Sequence, residues 1–132
     1  MPRDIPVGNG SVLVTFDRNC QVRDVFYPHA GKENHAGGEP CRLGMWADGQ
    51  FAWIGQEWQR SLRYRDNTLV TDVTARNDRL GIELHFSDCV DYDKPVFLRQ
   101  VRVKDLRGSS REVRLFFHHD RHDPAGAQNF VI

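Results

Sequence analysis

The sequence alternates. From residue 11 to residue 119, apolar side chains fall at every second position in short segments, and turn-forming residues separate the segments. Successive side chains of an extended strand point to opposite faces, so this period builds half-buried strands. Residues 11–16 set Val12, Val14 and Phe16 on one face, and Asp17-Arg18-Asn19 turns the chain. Cys20, Val22 and Phe26 share the next face, with Asp24 interrupting it. Residues 42–47 and 50–54 flank Asp48-Gly49, the strongest short hairpin signal in the chain. Across that turn Trp46 and Trp53 are expected to face each other.

The second half repeats the rule more cleanly. Leu69, Thr71, Val73 and Ala75 fall together, then Ile82, Leu84 and Phe86 opposite Glu83, His85 and Ser87. Phe97, Val101 and Val103 point inward with Arg102 and Lys104 outward, polar residues 107–111 turn, and Val113, Leu115 and Phe117 share a face. Residues 57–64 stay open between two readings. Trp58 and Leu62 have helical spacing, yet Trp58, Leu62 and Tyr64 also fit a strand. No other window offers a helix. The fold class is all-β, an antiparallel β-sandwich with little or no helix.

Composition narrows the function. At 132 residues the chain is about one domain. Its 18 Lys+Arg balance 18 Asp+Glu, which argues against nucleic acid as a partner because such binders carry a basic excess. No apolar run approaches the ~18 residues of a membrane-spanning helix. Met1-Pro2-Arg3-Asp4 lacks the features of a secretory leader, so a cytoplasmic location is expected. Cys20, Cys41 and Cys89 are odd in number and widely spaced, and read as small, partly buried hydrophobes.

Several clusters invite a chemical reading. His118, His119 and His122 look like metal ligands, but on a strand His118 and His119 face opposite ways. No metal or other cofactor is expected. Asp88, Asp91 and Asp93 gather at a strand end and read as solvated acids, as Arg60, Arg63, Arg65, Arg99 and Arg102 read as solvated strand faces. The polar, glycine- and proline-rich segment 28–40 is long for a structureless loop in a small domain, a length that marks functional or disordered segments. It carries His29, Glu33, His35 and Glu39. Trp46, Phe51, Trp53, Trp58 and Tyr64 fall within twenty residues, as sheet packing or as a surface for stacking on sugar rings.

An ordered series of short matches then stands out. It runs through Ile5-Pro6-Val7-Gly8-Asn9-Gly10-Ser11, Arg23-Asp24-Val25-Phe26-Tyr27-Pro28-His29 and Glu33-Asn34-His35. It continues with Gly44-Met45-Trp46, Asp48-Gly49-Gln50-Phe51, Leu69-Val70-Thr71-Asp72-Val73-Thr74 and Val113-Arg114-Leu115-Phe116-Phe117-His118-His119-Asp120. Over about Pro2 to Asp120 the chain resembles the N-terminal β-sandwich of bacterial glucoamylase-like enzymes of glycoside hydrolase family 15. The resemblance implies an enzyme that hydrolyses α-glucosidic bonds with inversion, using two glutamates on an (α/α)6 barrel that follows a large sandwich. Inversion sets those carboxyl groups ~6.5–9.5 Å apart around a water.

The match covers only the front of such a sandwich, so no catalytic residue carries over. Residues 1–120 are expected to be an incomplete sandwich segment and 121–132 a divergent tail of a truncated chain. The expected role is non-catalytic: packing on the parent's barrel, with His29, Glu33 and His35 as polar contacts near the active-site mouth. A free-standing module that binds a glucan or oligosaccharide through Trp46, Trp53 and Trp58 is the alternative. Half a sandwich leaves apolar faces and strand edges open, so marginal stability or self-association through those edges is expected.

Overall fold

The computed structural model describes residues 5–37 and 40–119. Glu39, His122 and the tail 121–132 lie outside the described residues. Eleven strands follow in order, with no helix among the described residues. β1 (Ile5–Gly8), β2 (Leu13–Phe16), β3 (Val22–Tyr27) and β4 (Glu33–Asn34) form an antiparallel meander. β5 (Arg42–Ala47) lies between β6 (Gln50–Trp53) and β11 (Val113–His118) in a second sheet. β7 (Gln59–Tyr64), β8 (Thr71–Asn77), β9 (Ile82–Val90) and β10 (Phe97–Asp105) form the third.

The four-stranded β7–β10 sheet is the floor on which both other sheets pack. Val73, Ala75, Ile82, Leu84 and Phe86 meet Leu43, Met45, Ala47 and Ala52 in one buried cluster, as the alternation requires. Ile5, Val7, Val12, Val14, Phe16 and Val22 form a second cluster, which Leu62, Tyr64, Val90 and Phe97 join from the floor. Each fully buried side chain of this size contributes roughly 1.5–3 kcal/mol. One bridge joins the two upper sheets, where the Cys41 N–H donates to the Val22 carbonyl at 2.8 Å. The result is an all-β, sandwich-like fold.

The turns follow their residues. Asp48 (φ 51°) and Gly49 (φ 76°) both take the left-handed backbone that a two-residue hairpin turn needs. Asp17 closes its turn with Oδ1, which accepts from the N–H groups of Asn19 (2.8 Å) and Gln21 (3.1 Å). Asp24, which breaks an apolar alternation, is buried because three donors meet it. These are Thr15 Oγ1 at 2.7 Å, Arg23 Nε at 2.7 Å and Asn34 Nδ2 at 2.8 Å.

The open reading of residues 57–64 resolves as a strand: Gln59–Tyr64 form β7, Trp58 leads into it from a turn, and its indole is in the core. Four expectations need correction. Leu69 is exposed, because the hydrogen bond from Arg65 N–H to the Val70 carbonyl keeps it in the turn before β8. Val103 and Phe117 keep inward parity but are exposed, since each lies on an edge strand where the covering layer runs out. Asp88 and Arg99 are not solvated but buried together. Trp46 does not face Trp53, because a two-residue turn pairs Trp46 with Phe51 and Trp53 with Gly44.

Candidate functional site

The most distinctive surface is the outward face of the β11–β5–β6 sheet. While Leu43, Met45 and Ala47 point to the core, Arg42, Gly44 and Trp46 point out, with Phe51 and Trp53 beside them on β6. Arg114, Phe116 and His118 complete the face from β11, opposite Trp46, Gly44 and Arg42 in turn. Phe51, Trp53 and Phe116 are each 40–42% exposed.

Gly44 organises the cluster. A Cβ there would stand 2.5 Å from Phe51 Cζ and 3.0 Å from Trp53 Cε3, so only glycine lets the phenyl ring lie across the strand. Phe51 then meets Trp53 edge-on (centroids 4.9 Å, planes at 89°) and Phe116 at a steep angle (5.7 Å, 71°). Two guanidinium groups cap the indoles: Arg114 lies 5.0 Å above Trp46 and Arg42 5.9 Å above Trp53. His118 meets the far edge of Trp53 at 6.5 Å. The face offers apolar ring edges and cations together, a composition suited to contact with another surface.

Of the predicted contact aromatics, Trp46 and Trp53 are on this face but Trp58 is not. The Trp58 side chain is 3% exposed and belongs to the core cluster. An indole sealed there cannot stack on a sugar, and this part of the expectation is overturned. Parity along the strands carries the signal for the others, since Trp46, Phe51 and Trp53 fall opposite to the buried Met45 and Ala52.

The loop candidates behave differently. The segment after β3 is less free than its composition suggests, because Asn34 ties it down. Asn34 pairs with Phe26, accepts from the Val25 and Ala36 N–H groups at 3.1 Å each, and donates to Asp24. His35 N–H donates to the Val25 carbonyl at 2.8 Å, and its half-buried ring packs 6.4 Å from Tyr27. His29 and Glu33 are exposed.

A second arrangement was missed from the sequence. Arg99 Nε and Nη2 grip Asp88 at 2.7 and 3.2 Å, and Nη2 also donates to the Cys20 carbonyl at 3.2 Å. The side chains are 11% and 2% exposed. Thr71 Oγ1 donates to the same carboxylate at 3.1 Å. The guanidinium lies 5.2 Å from the Phe16 and Phe86 rings and 5.8 Å from Phe97. Phe16 belongs to one core cluster and Phe86 to the other, so this pair sits at their junction. The Asp88 carboxylate and the Arg99 Nε and Nη2 groups are spent on the fold.

The other chemical candidates are likewise absorbed. Asp91 Oδ1 closes a turn by accepting from the Asp93 and Lys94 N–H groups at 3.0 and 2.9 Å. Cys20 and Cys89 form no disulfide, and burial pushes the Cys20 thiol up to about 12, which leaves it an unreactive hydrophobe. Among the described residues no three His, Cys, Asp or Glu side chains converge as a metal site would require. At the turn end, Arg111 donates to Asp105 and Asp48, both at 2.8 Å, and to the Leu80 carbonyl at 2.7 Å, tying β11's approach to both layers. The hydrogen bonds from Arg111, and then from the Arg107 N–H, hold Asp105 below the usual carboxylate range.

No family model, curated protein or solved structure matches this chain.

Proposed function

We propose that this chain is a non-catalytic scaffold module, the N-terminal β-sandwich segment of a glucoamylase-like α-glucoside hydrolase. The outward face of β11–β5–β6 is the surface it lays against the helical catalytic barrel. One observation carries the reading: Phe51, Trp53 and Phe116 form a contiguous, half-exposed aromatic cluster on the solvent side of a sheet whose other side is already core. A contiguous apolar patch rimmed by cations marks a contact surface rather than an ordinary sheet exterior. Hydrolysis with inversion belongs to the barrel's two glutamates in this reading, and the exposed His29 and Glu33 are this module's polar contribution near the active-site mouth.

The exposure of Trp53 beside Arg42 favours a second reading, a free-standing carbohydrate-binding module. Against it, Phe51 meets its neighbours edge-on, so the cluster presents ring edges where a sugar ring needs a flat platform. One binding experiment separates the two. The full chain is titrated with a helical barrel domain from a glucoamylase-like enzyme, and separately with maltoheptaose, following tryptophan fluorescence. Saturable binding to the barrel is expected, weakened about tenfold or more by the pair Trp53→Asp and Phe116→Asp. No binding to the barrel overturns the scaffold reading, and a saturable response to maltoheptaose that Trp53→Asp abolishes establishes the other.

A further inference from the structure

One dipeptide of the chain is chemically labile, and the fold uses it as a clasp. Asn9-Gly10, in the turn between β1 and β2, is the only Asn-Gly pair in the sequence. A glycine after asparagine leaves the next amide nitrogen unshielded by a side chain, so this pair closes to a cyclic imide faster than other asparagine pairs. Gly10 is exposed, takes φ 95°, and has open space where a Cβ would stand. The half-buried Asn9 carboxamide, by contrast, is engaged at both ends. Its Nδ2 donates to the Asp91 carbonyl at 2.8 Å and the Lys94 carbonyl at 2.9 Å, both in the turn between β9 and β10. Its Oδ1 accepts from the Ser11 and Val12 N–H groups at 3.0 and 3.1 Å. One side chain therefore fastens the first turn of the meander to the floor sheet.

We infer that Asn9 is a deamidation site, and that the clasp it forms controls when the reaction runs and what it changes. This is independent of the docking role above. The Gly10 nitrogen attacks Asn9 Cγ and gives up its proton, Nδ2 leaves as ammonia, and a five-membered succinimide forms. Water then opens the ring at either carbonyl, giving aspartate or isoaspartate, with no oxidation or reduction. While Nδ2 and Oδ1 hold their partners, the carboxamide is not free to turn toward the Gly10 nitrogen. The reaction therefore runs through the state in which the turn at 91–96 lets go. That turn is the looser side of the clasp: Tyr92 is 91% exposed, and Asp93, Lys94, Pro95 and Val96 are exposed with it. Exposed turns with few packed contacts open more readily than the sheets they join. The product cannot refasten. A carboxylate only accepts hydrogen bonds, so an oxygen replaces the donor that faced two carbonyl oxygens. Its charge also joins Asp91 and Asp93 against the single Lys94. Isoaspartate adds a methylene to the backbone as well, which moves the acceptor away from the Ser11 and Val12 N–H groups. Deamidation is thus a one-way release of the β1–β2 turn from the floor sheet.

Ageing the full chain in mildly alkaline buffer, with each asparagine followed by peptide mass spectrometry, tests this. Asp91→Ala loosens the clasp without touching Asn9, because Asp91 Oδ1 closes the turn by accepting from the Asp93 and Lys94 N–H groups. Conversion at Asn9 is expected to be slowest in the folded wild type, about tenfold faster in Asp91→Ala, and fastest in the chain unfolded by urea, since the rate follows the population of the open turn. In Asp91→Ala, Asn9 is expected to convert ahead of Asn19, Asn34, Asn67 and Asn77, with the circular dichroism of the wild type retained. Asn9→Asp is expected to melt below the wild type, and the aged chain to move toward it. An Asn9 that stays intact even in Asp91→Ala, or that converts behind another of these asparagines there, overturns the inference. So does a rate that is the same in all three samples, or an Asn9→Asp chain that melts with the wild type.

Discussion

Arginine meets aromatic rings on both sides of this molecule, with opposite consequences. Inside, Arg99 lies among Phe16, Phe86 and Phe97 and is neutralised by Asp88. Outside, Arg114 and Arg42 lie over Trp46 and Trp53, and Phe51 and Phe116 fill the gap between them. The chemistry is the same, but the solvent is not. A cation over a ring is worth ~0.5–1 kcal/mol at an exposed site and ~2 kcal/mol or more once desolvated. The inner cluster is closed and holds two cores together. The outer one is half finished, with its rings arranged on each other and its surface open to another body.

The inner cluster is the sharpest place to break this contrast. Asp88→Ala leaves the Arg99 guanidinium buried without its carboxylate, and removing one partner of a buried pair costs about 3–5 kcal/mol. Urea unfolding monitored by circular dichroism is expected to show that loss. The double variant Asp88→Leu with Arg99→Met is expected to recover most of it, since replacing both charges by apolar groups of similar volume is often neutral or stabilising. On the outer face Arg114→Met is expected to be nearly silent, because the Arg114 side chain is solvated. A cost below about 1 kcal/mol for Asp88→Ala would show that the two cores do not depend on the pair.

The two clusters also differ in how legible they are. The inward rows Val12, Val14, Phe16 and Ile82, Leu84, Phe86 follow directly from alternation, and the Asp48-Gly49 turn from its residues. Arg99 stands at an inward position between Phe97 and Val101, so its parity was visible. What made it a core residue is its partner: the register that sets Arg99 opposite Asp88 is a property of two strands, not of one. The outer cluster is a matter of counting. A two-residue turn fixes Trp46 opposite Phe51 and Trp53 opposite Gly44, which places all three aromatics on one face from the sequence alone. Trp58 stayed open because its spacing from Leu62 fits a helix as well as a strand; it closes the turn from Gly55 and keeps the inward parity of Leu62 and Tyr64. Phe117 shows the remaining limit, since parity names the face but not whether anything covers it.

Gly44 gives the next largest test, on the outer side. Gly44→Ala drives a methyl group into the Phe51 ring, which is half-exposed and free to swing away. The expected cost is about 1–2 kcal/mol, made of overpacking and of the lost edge-on contacts with Trp53 and Phe116. A red shift in tryptophan emission is expected with it, as Trp53 loses its neighbour to water. Combining Gly44→Ala with Phe51→Ala removes the clash, so the pair costs less than the sum of the two single changes. Strict additivity would mean that Gly44 serves the backbone and not the ring.

The smallest effect separates inner from outer carboxylates. Burial pushes Asp24 up, but hydrogen bonds from Thr15, Arg23 and Asn34 overcome it and leave the group below its ordinary value. A carboxylate lowered on folding adds stability that is complete above its unfolded value, near pH ~4, and is lost as pH falls through the folded value. Glu83, on the outward face of β9, is also lowered, by its hydrogen bond with His85. The sign is therefore the same at both sites, but the half-exposed Glu83–His85 pair is the more open to screening by water and salt. Thermal unfolding followed from pH 5 down to about pH 3 is expected to show a flatter pH dependence in Asp24→Asn than in the wild type. Glu83→Gln is expected to flatten it less, and added salt is expected to erase that difference while sparing the Asp24 effect. Equal salt sensitivity at the two sites would mean that Asp24 is as wet as Glu83, and that its three donors do not shield it.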